Sequence, residues 1–329
     1  MSATQRPAIR LFRDGDAAAS AALVRAAPDG PCSFEHDDAA ALLAFDRLLR
    51  QHGHAVVRLV AEASGGLAAS AALFETRWGP GGVRRGWLLL RVAPAWRGHG
   101  LATRMFGSLR DAARHAGLVT LHADVRERDA DAQRWALRHG FTVQMRSILC
   151  RLDLARAAPR AIAAGAPPIT TLAALQAAGV PDALGQAFAL YRTLLDDVPL
   201  PDQIVLTTAW FAELVGARPD LCLIAHDGGQ FIGICILQPA AGDAGALEQR
   251  LTGVIASRRG QGIATALKRT SLGIARAAGY RSIITWIEDT NAPMLAISRA
   301  AGFIEHPGLT VYHQPLAADP PAAHGSQAR

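Results

Sequence analysis

The chain has few of the residues that staple or anchor a protein. It has four cysteines in 329 residues, at positions 32, 150, 222 and 235, with no C-x-x-C spacing. They sit mostly in apolar, strand-like runs and read as buried thiols of a reducing compartment, not as a disulfide framework or a zinc set. Residues 1–16 carry Arg and Asp but no apolar signal core, and no run approaches the ~18 apolar residues of a membrane helix. A cytoplasmic protein without membrane contact is the expectation. Blocks of like charge are also missing. The 34 basic residues stand against 28 acidic ones, a formal +6 spread over scattered Arg, which suits solubility and small anionic ligands better than a nucleic-acid partner. His52, His54, His115, His122 and His139 have no ligand spacing, and H-E-x-x-H does not occur, so no metal is expected.

What the chain has in quantity is apolar residues, half of the total. A length prior of roughly 150 residues per domain divides it into two. Alternation and turn residues predict, in the first half, a strand at 9–12, helices to about 26 and over 37–51, and strands at 55–62, 67–78 and 87–92. A helix to about 116, a strand at 118–125, a helix at 129–139 and a strand at 141–154 complete it. Residues 155–168 are rich in Ala, Pro and Gly and read as a linker. The second half repeats the order: a short strand near Ile169, helices at 182–195 and 208–215, and strands at 221–226, 231–238 and 249–255. A helix at 263–278, a strand at 282–288, a helix at 293–301 and a strand at 310–316 follow. The expected domains are therefore 1–154 and 169–316, with 317–329 a disordered tail.

Each half carries a glycine-rich turn between an apolar strand and an amphipathic helix. They are Arg97-Gly98-His99-Gly100-Leu101-Ala102 and Arg259-Gly260-Gln261-Gly262-Ile263-Ala264. Gly140-Phe141 follows Arg97, and Gly302-Phe303 follows Arg259, at the same distance of 43 positions (140 − 97 and 302 − 259). Glycine lets backbone approach a ligand, and a helix N-terminus offers unpaired N–H groups and the positive end of its dipole, so such a turn can hold a pyrophosphate. Other nucleotide motifs fit worse: no Gly-Lys-Ser/Thr follows, and Thr103 and Thr265 stand where a dinucleotide fingerprint has its third glycine.

The Arg-x-x-Gly-x-Ala spacing resembles the acetyl-CoA loop of the GCN5-related N-acetyltransferases (GNAT). The two-copy layout and the Asn291-Ala292-Pro293-Met294-Leu295 run resemble tandem members of the mycothiol-synthase type. The resemblance is strong for the central segments and weak for 169–220. It implies an α/β (α+β) fold class of two tandem units, each a mixed, largely antiparallel twisted sheet with a V-shaped splay between its fourth and fifth strands and flanking helices. It also implies acetyl-CoA as cosubstrate. The backbone N–H groups of Gly98 to Ala102 and Gly260 to Ala264 would hold the pyrophosphate, with Arg97 and Arg259 opening each motif. Val92, Val254 and Ile255 would lie along the pantetheine arm as on an added strand. Asn291 either approaches that arm or caps its helix.

Acyl transfer to an amine needs a neutral nucleophile, a polarised carbonyl and a proton for the thiolate. The family's usual tyrosine acid is replaced by Ala136 in the first copy and Ser298 in the second. Ser298 is either a water-linked proton relay or packing. Tyr312 is a second acid candidate or a core residue, and Glu248 is either the base or a solvated strand-end charge. Arg84 and Arg85 occupy the comparable place in the first copy and would oppose an ammonium, which favours the second copy as catalytic. The expectation is direct acetyl transfer to a primary amine of a small molecule or peptide. The alternative, motivated by the missing tyrosines, is a non-catalytic CoA-binding module.

Overall fold

The computed structural model describes residues 6–27, 32, 34–78, 83–157, 165–195, 208–240 and 242–316. Pro and Gly content predicts a break at 28–31, a turn at 79–82 and a bend at Pro199-Leu200-Pro201; these, the linker's 158–164 and the tail lie outside the described residues. In chain order the elements are β1 (Ala8–Leu11), α1 (Ala17–Arg25), α2 (Ala39–Gln51), β2 (Val56–Ala63), β3 (Gly66–Trp78), β4 (Val83–Val92), α3 (Leu101–His115), β5 (Thr120–Arg126), α4 (Ala130–Arg138) and β6 (Thr142–Asp153). They continue with β7 (Ile169–Thr171), α5 (Leu172–Ala177), α6 (Ala183–Leu195), α7 (Thr208–Gly216), β8 (Cys222–Asp227), β9 (Gln230–Ala240), β10 (Asp243–Val254), α8 (Ile263–Ala277), β11 (Ser282–Glu288), α9 (Ala292–Ala301) and β12 (Ile304–Pro315).

Local chemistry explains most of these boundaries. Asp38, Asp129 and Thr171 cap α2, α4 and α5 by accepting from the backbone N–H three residues on, satisfying donors the helix leaves open. Asp227-Gly228-Gly229 turns β8 into β9, both glycines lying at positive φ (54° and 84°), as a tight hairpin requires. Three strands start earlier than alternation predicts. β4 begins at Val83, where Arg84 is clamped through Nε and Nη2 to Glu75 on β3 (2.8 and 2.9 Å). β10 and β12 begin in Ala/Gly and His-Pro-Gly sequence whose low strand propensity hides them. The short helix α5 was not visible in the periodicity.

Two compact units form, and they do not follow chain order to the end: the first comprises the described residues to Gln144 and from Thr310, the second those between Met145 and Leu309. The halves thus exchange final strands. In the first unit the order is β1-β2-β3-β4-β5-β12, and in the second β6-β11-β10-β9-β8-β7. β1 to β4 and β7 to β10 are antiparallel meanders, while β4–β5 and β10–β11 are parallel. Each unit is therefore a mixed sheet flanked by helices.

The first unit's main core lies between its sheet and α3, where Leu88, Leu121, Met105, Phe106, Leu109 and Phe141 meet. The second unit buries both faces, one under α8 and α9 and the other under α5 to α7, which is why β9 is apolar almost throughout. Its α8 core contains the chain's single lysine. Lys268 is 1% exposed and stands as far after Arg259 as Phe106 after Arg97. Its Nζ donates to Gln249 Oε1 and lies 4.9 Å from the Phe303 ring centroid. Gln249 in turn donates to Cys235 Sγ (3.1 Å) and Ser271 Oγ (3.2 Å).

Burial pushes the Lys268 ammonium down from its ordinary 10.5 to about 8. Between those values the unfolded chain holds a proton that the folded chain has released, so stability rises with pH there. Denaturant unfolding at pH 7 and pH 10.5 is expected to show wild type gaining about 1–3 kcal/mol relative to Lys268→Met. Equal pH dependence of the two proteins would contradict the burial of a titrating amine.

Candidate acyl-donor site

Both glycine-rich turns adopt one backbone path. β4 and β10 each end in a short 3-10 turn, Pro94–Trp96 and Ala256–Arg258. Gly98 and Gly100 follow at φ 77° and 74°, and Gly260 and Gly262 at 76° each. This left-handed region favours glycine. A Cβ at any of the four would meet nothing within 4 Å, so the glycines answer to backbone conformation, and the space before them is open. Leu101 and Ile263, both 2% exposed, anchor the first helical turn in the core. The first intrahelical bonds run from Arg104 N to Gly100 O and from Ala266 N to Gly262 O, leaving the preceding N–H groups directed out of each helix. Ala102 and Ala264 are half-buried there, whereas His99 and Gln261 are exposed. Arg97 and Arg259 turn back instead, donating from Nε to Val92 O (3.4 Å) and Val254 O (3.1 Å). Each guanidinium ties its turn to the end of the preceding strand.

Beside each turn the parallel strands part. β4 and β5 share register only at Gly86↔Leu121 and Trp87↔His122. β10 and β11 share Ala246↔Ser282, Leu247↔Ile283 and Glu248↔Ile284. Beyond those pairs, residues 88–92 and 123–126 diverge in the first unit, and 249–254 and 285–288 in the second. Ile255 N donates to Ile232 O on β9 (3.0 Å), so by alternation the Val254 peptide groups face the gap. The units differ here. β10 carries a register shift between Gln249 and Leu251 that β4 lacks, and Thr285 Oγ1 reaches across to Gln249 O (3.0 Å).

In the first unit the gap holds a cavity of about 600 Å³. Leu88, Leu90 and Val92 belong to the α3 face, whereas Leu89 and Arg91 point to the side where α1 and α2 pack. Residues of both sets line the cavity, so it passes through the sheet. At one mouth stand Gly98, Gly100 and Thr103. At the other are Cys32, Glu35, Arg91, Asp124 and Arg126. Glu35 accepts from Arg91 Nε (2.7 Å) and Nη2 (2.5 Å) and from Cys32 N (2.7 Å). Burial, together with the Asp124 and Glu35 carboxylates, pushes the Cys32 thiol far above its ordinary range, so it is no thiolate nucleophile.

The catalytic candidates from the sequence have unlike surroundings. Glu248 is half-buried and ion-paired with Arg250 (2.9 Å). Ser298 is 1% exposed, and its Oγ has no hydrogen-bond partner among the described residues. Tyr312 lies on the exchanged part of β12, inside the first unit's core, and so belongs to the other unit from Glu248 and Ser298. Asn291 caps α9, its Oδ1 accepting from Met294 N (3.2 Å). Sequence reasoning missed Glu288, a buried residue at the diverging end of β11. Burial, helped by Asp289, raises its carboxyl to about 7. It stands as far after Arg259 as Arg126 does after Arg97, and Arg126 lines the first unit's cavity; this positional match was the available signal. Among the described residues no group of three His, Cys, Asp or Glu is placed to hold a metal ion.

A family model described as the acetyltransferase (GNAT) family matches residues 21–141 and again 187–303. No curated protein matches the chain. Among solved structures, a GCN5-related N-acetyltransferase from Sphaerobacter thermophilus is 22% identical with TM-score 0.68, over 94% of this chain and 95% of that one. A tandem GNAT protein from the clavulanic acid biosynthesis pathway is 17% identical with TM-score 0.68, over 95% and 99%. A putative acetyltransferase from Pyrococcus horikoshii is 13% identical with TM-score 0.60, over 96% and 92%. At these identities the structures speak to fold alone; the family model, which matches twice and over more than half of the sequence, carries the assignment: the chain is a member of the acetyltransferase (GNAT) family.

Proposed function

We propose that the protein transfers an acyl group, acetyl in the first instance, from coenzyme A to a primary amine of a small molecule or peptide by direct attack. The observation that carries this reading is the first unit's cavity, which runs from the glycine turn through the splayed strands to the opposite face of the sheet. One ligand can enter from each side and meet in the gap. The N–H groups after Gly100 receive the pyrophosphate of the donor, and the unpaired edges of β4 and β5 receive its amides as an added strand. A strand-four N–H polarises the thioester carbonyl. The amine nitrogen bonds to the thioester carbon, the carbon–sulfur bond breaks, and the proton the nitrogen loses ends on the sulfur. Holding both reactants in one gap supplies much of the acceleration. We place this chemistry in the cytoplasm. Among the described residues no helix is long and apolar enough to cross a membrane.

The first unit is the primary seat in this reading. Of the two arginines that would oppose an ammonium there, Arg84 is ion-paired with Glu75, and the Arg85 charge is the one the acceptor must tolerate. A second reading places transfer in the C-terminal unit, and Glu288 is the observation that favours it: a buried carboxyl raised to about 7 suits a general base. Ser298 would then relay the sulfur's proton. The rival of another class, a CoA-binding module without turnover, has the absence of a tyrosine at 136 and 298 in its favour.

Calorimetry with acetyl-CoA is expected to show at least tenfold weaker binding in Gly100→Glu, whose carboxylate opposes the pyrophosphate. Gly100→Asn, which tolerates the left-handed backbone without charge, serves as control. Gly262→Glu tests the second turn in the same way, and unchanged binding in both glutamate variants would remove both loop assignments. Thiol release from acetyl-CoA with a panel of amines then separates enzyme from module. If the C-terminal unit is the seat, Glu288→Gln lowers turnover by roughly 30-fold or more and abolishes the fall in rate as pH drops through about 7. Full activity in Glu288→Gln assigns transfer to the first unit.

A further inference from the structure

We propose that the first unit's glycine turn takes up a proton together with its anionic ligand, and that the proton goes to His139 by way of Thr103. The proposal rests on the reading above that this turn receives the donor's pyrophosphate. It makes His139 a positioning residue, because the ring acts through the Thr103 hydroxyl.

Thr103 is the third residue of α3, so its N–H is one of those the helix leaves open. With Gly98 and Gly100 it lines the mouth of the cavity. Its Oγ1 lies 3.0 Å from His139 Nε2. His139 follows the last residue of α4, and its Nδ1 lies 2.8 Å from Trp135 O. A carbonyl oxygen only accepts, so Nδ1 carries hydrogen. In the neutral ring Nε2 is then an acceptor, and the Thr103 hydroxyl donates its one hydrogen to it.

A negatively charged phosphate oxygen also only accepts, and Thr103 cannot donate to both. If its hydrogen turns to the phosphate, Nε2 faces an oxygen with no hydrogen between them, which is unfavourable for a half-buried ring. A second proton on the ring removes the conflict. Nε2–H then donates to Thr103 Oγ1, Oγ1–H donates to the phosphate, and a positive charge stands one hydroxyl away from the anion. Nδ1 keeps its carbonyl throughout, and the negative end of the α4 dipole tolerates a cation. A ligand that prefers the protonated ring must, by linkage, raise the ring's proton occupancy when it binds.

The ring's other contacts are uncharged. Phe106 meets it edge-on (5.7 Å) and Trp135 stacks on it (4.2 Å), and from β12 Gln314 Nε2 donates to the His139 backbone carbonyl (2.7 Å). Of the charged groups on those elements, Arg104 and Arg138 are exposed, Arg110 lies over the Phe106 ring (5.4 Å), Asp131 pairs with Arg134, and His313 stands 6.2 Å from His122. The second unit supplies a contrast. It has Thr265 and Ala301 at the places matching Thr103 and His139, a hydroxyl without an imidazole, so its turn takes up no proton by this route.

The test is calorimetry with acetyl-CoA on the full chain at pH 7, in two buffers of unlike ionisation enthalpy, which gives the protons taken up on binding. The ligand's 3′-phosphate titrates in the same range, so the quantity read is the difference between wild type and His139→Gln, in which that contribution cancels. A ligand preference of about tenfold for the protonated ring is expected to give a difference of about half a proton. The affinity of the first turn is expected to rise about fivefold more in wild type than in His139→Gln between pH 8 and pH 6. Thr103→Val is expected to match His139→Gln, and Thr103→Ser to match wild type. Binding at the first turn with no difference in protons overturns the proposal, as does wild-type uptake that persists in Thr103→Val. Loss of binding in Gly262→Glu together with unchanged binding in Gly100→Glu defeats instead the reading of the first turn as a donor site, and the proposal with it. Binding retained in Gly262→Glu upholds that reading whatever the proton count.

Discussion

Each unit is organised around two parallel strands that stop bonding to one another partway along. Backbone N–H and C=O groups facing such a gap must find partners. The glycine turn and the helix behind it stand at the same place and leave further donors open. The need for hydrogen bonds along the strand edges and at the helix mouth is therefore one need, met most simply by an elongated ligand with amides in its middle and phosphates at one end.

The two copies answer that need differently. In the first, the gap stays open through the sheet and ends among balanced charges. In the second, Thr285 Oγ1 takes up the Gln249 carbonyl just beyond the last shared register, and a buried Lys–Gln–Cys cluster fills the helix side. Matching backbone at Gly98 and Gly100 and at Gly260 and Gly262 thus surrounds unlike interiors. Duplication preserved the part fixed by backbone conformation and let the side chains beyond the turn diverge.

That division explains what could be read from the chain alone. The turns were legible because only glycine sits comfortably at their four left-handed positions. The recurring distance to Gly140 and Gly302 was legible because these end a helix at positive φ (84° and 98°) before a buried Phe. The hairpin at Asp227-Gly228-Gly229 was legible for the same reason. The candidate catalytic residues were less so. Tyr312 lies on the family's last strand, but which unit that strand completes is a matter of long-range pairing with no local trace. Glu288 looked like any charge at the end of an apolar strand, because burial is a property of what packs over it. Likewise Glu35 is far from Arg91 and Asp124 in sequence, and only the fold brings them to one mouth.

The exchange of final strands has a consequence for how the chain is made. Residues up to Gln144 leave the ribosome first, yet the edge of β5 stays uncovered until residues from Thr310 emerge. The N-terminal half therefore reaches its final strand pairing only after the second half has been made, and an uncovered strand edge is a liability for as long as it lasts. Splitting the gene at the linker would part β5 from β12 and β11 from β6.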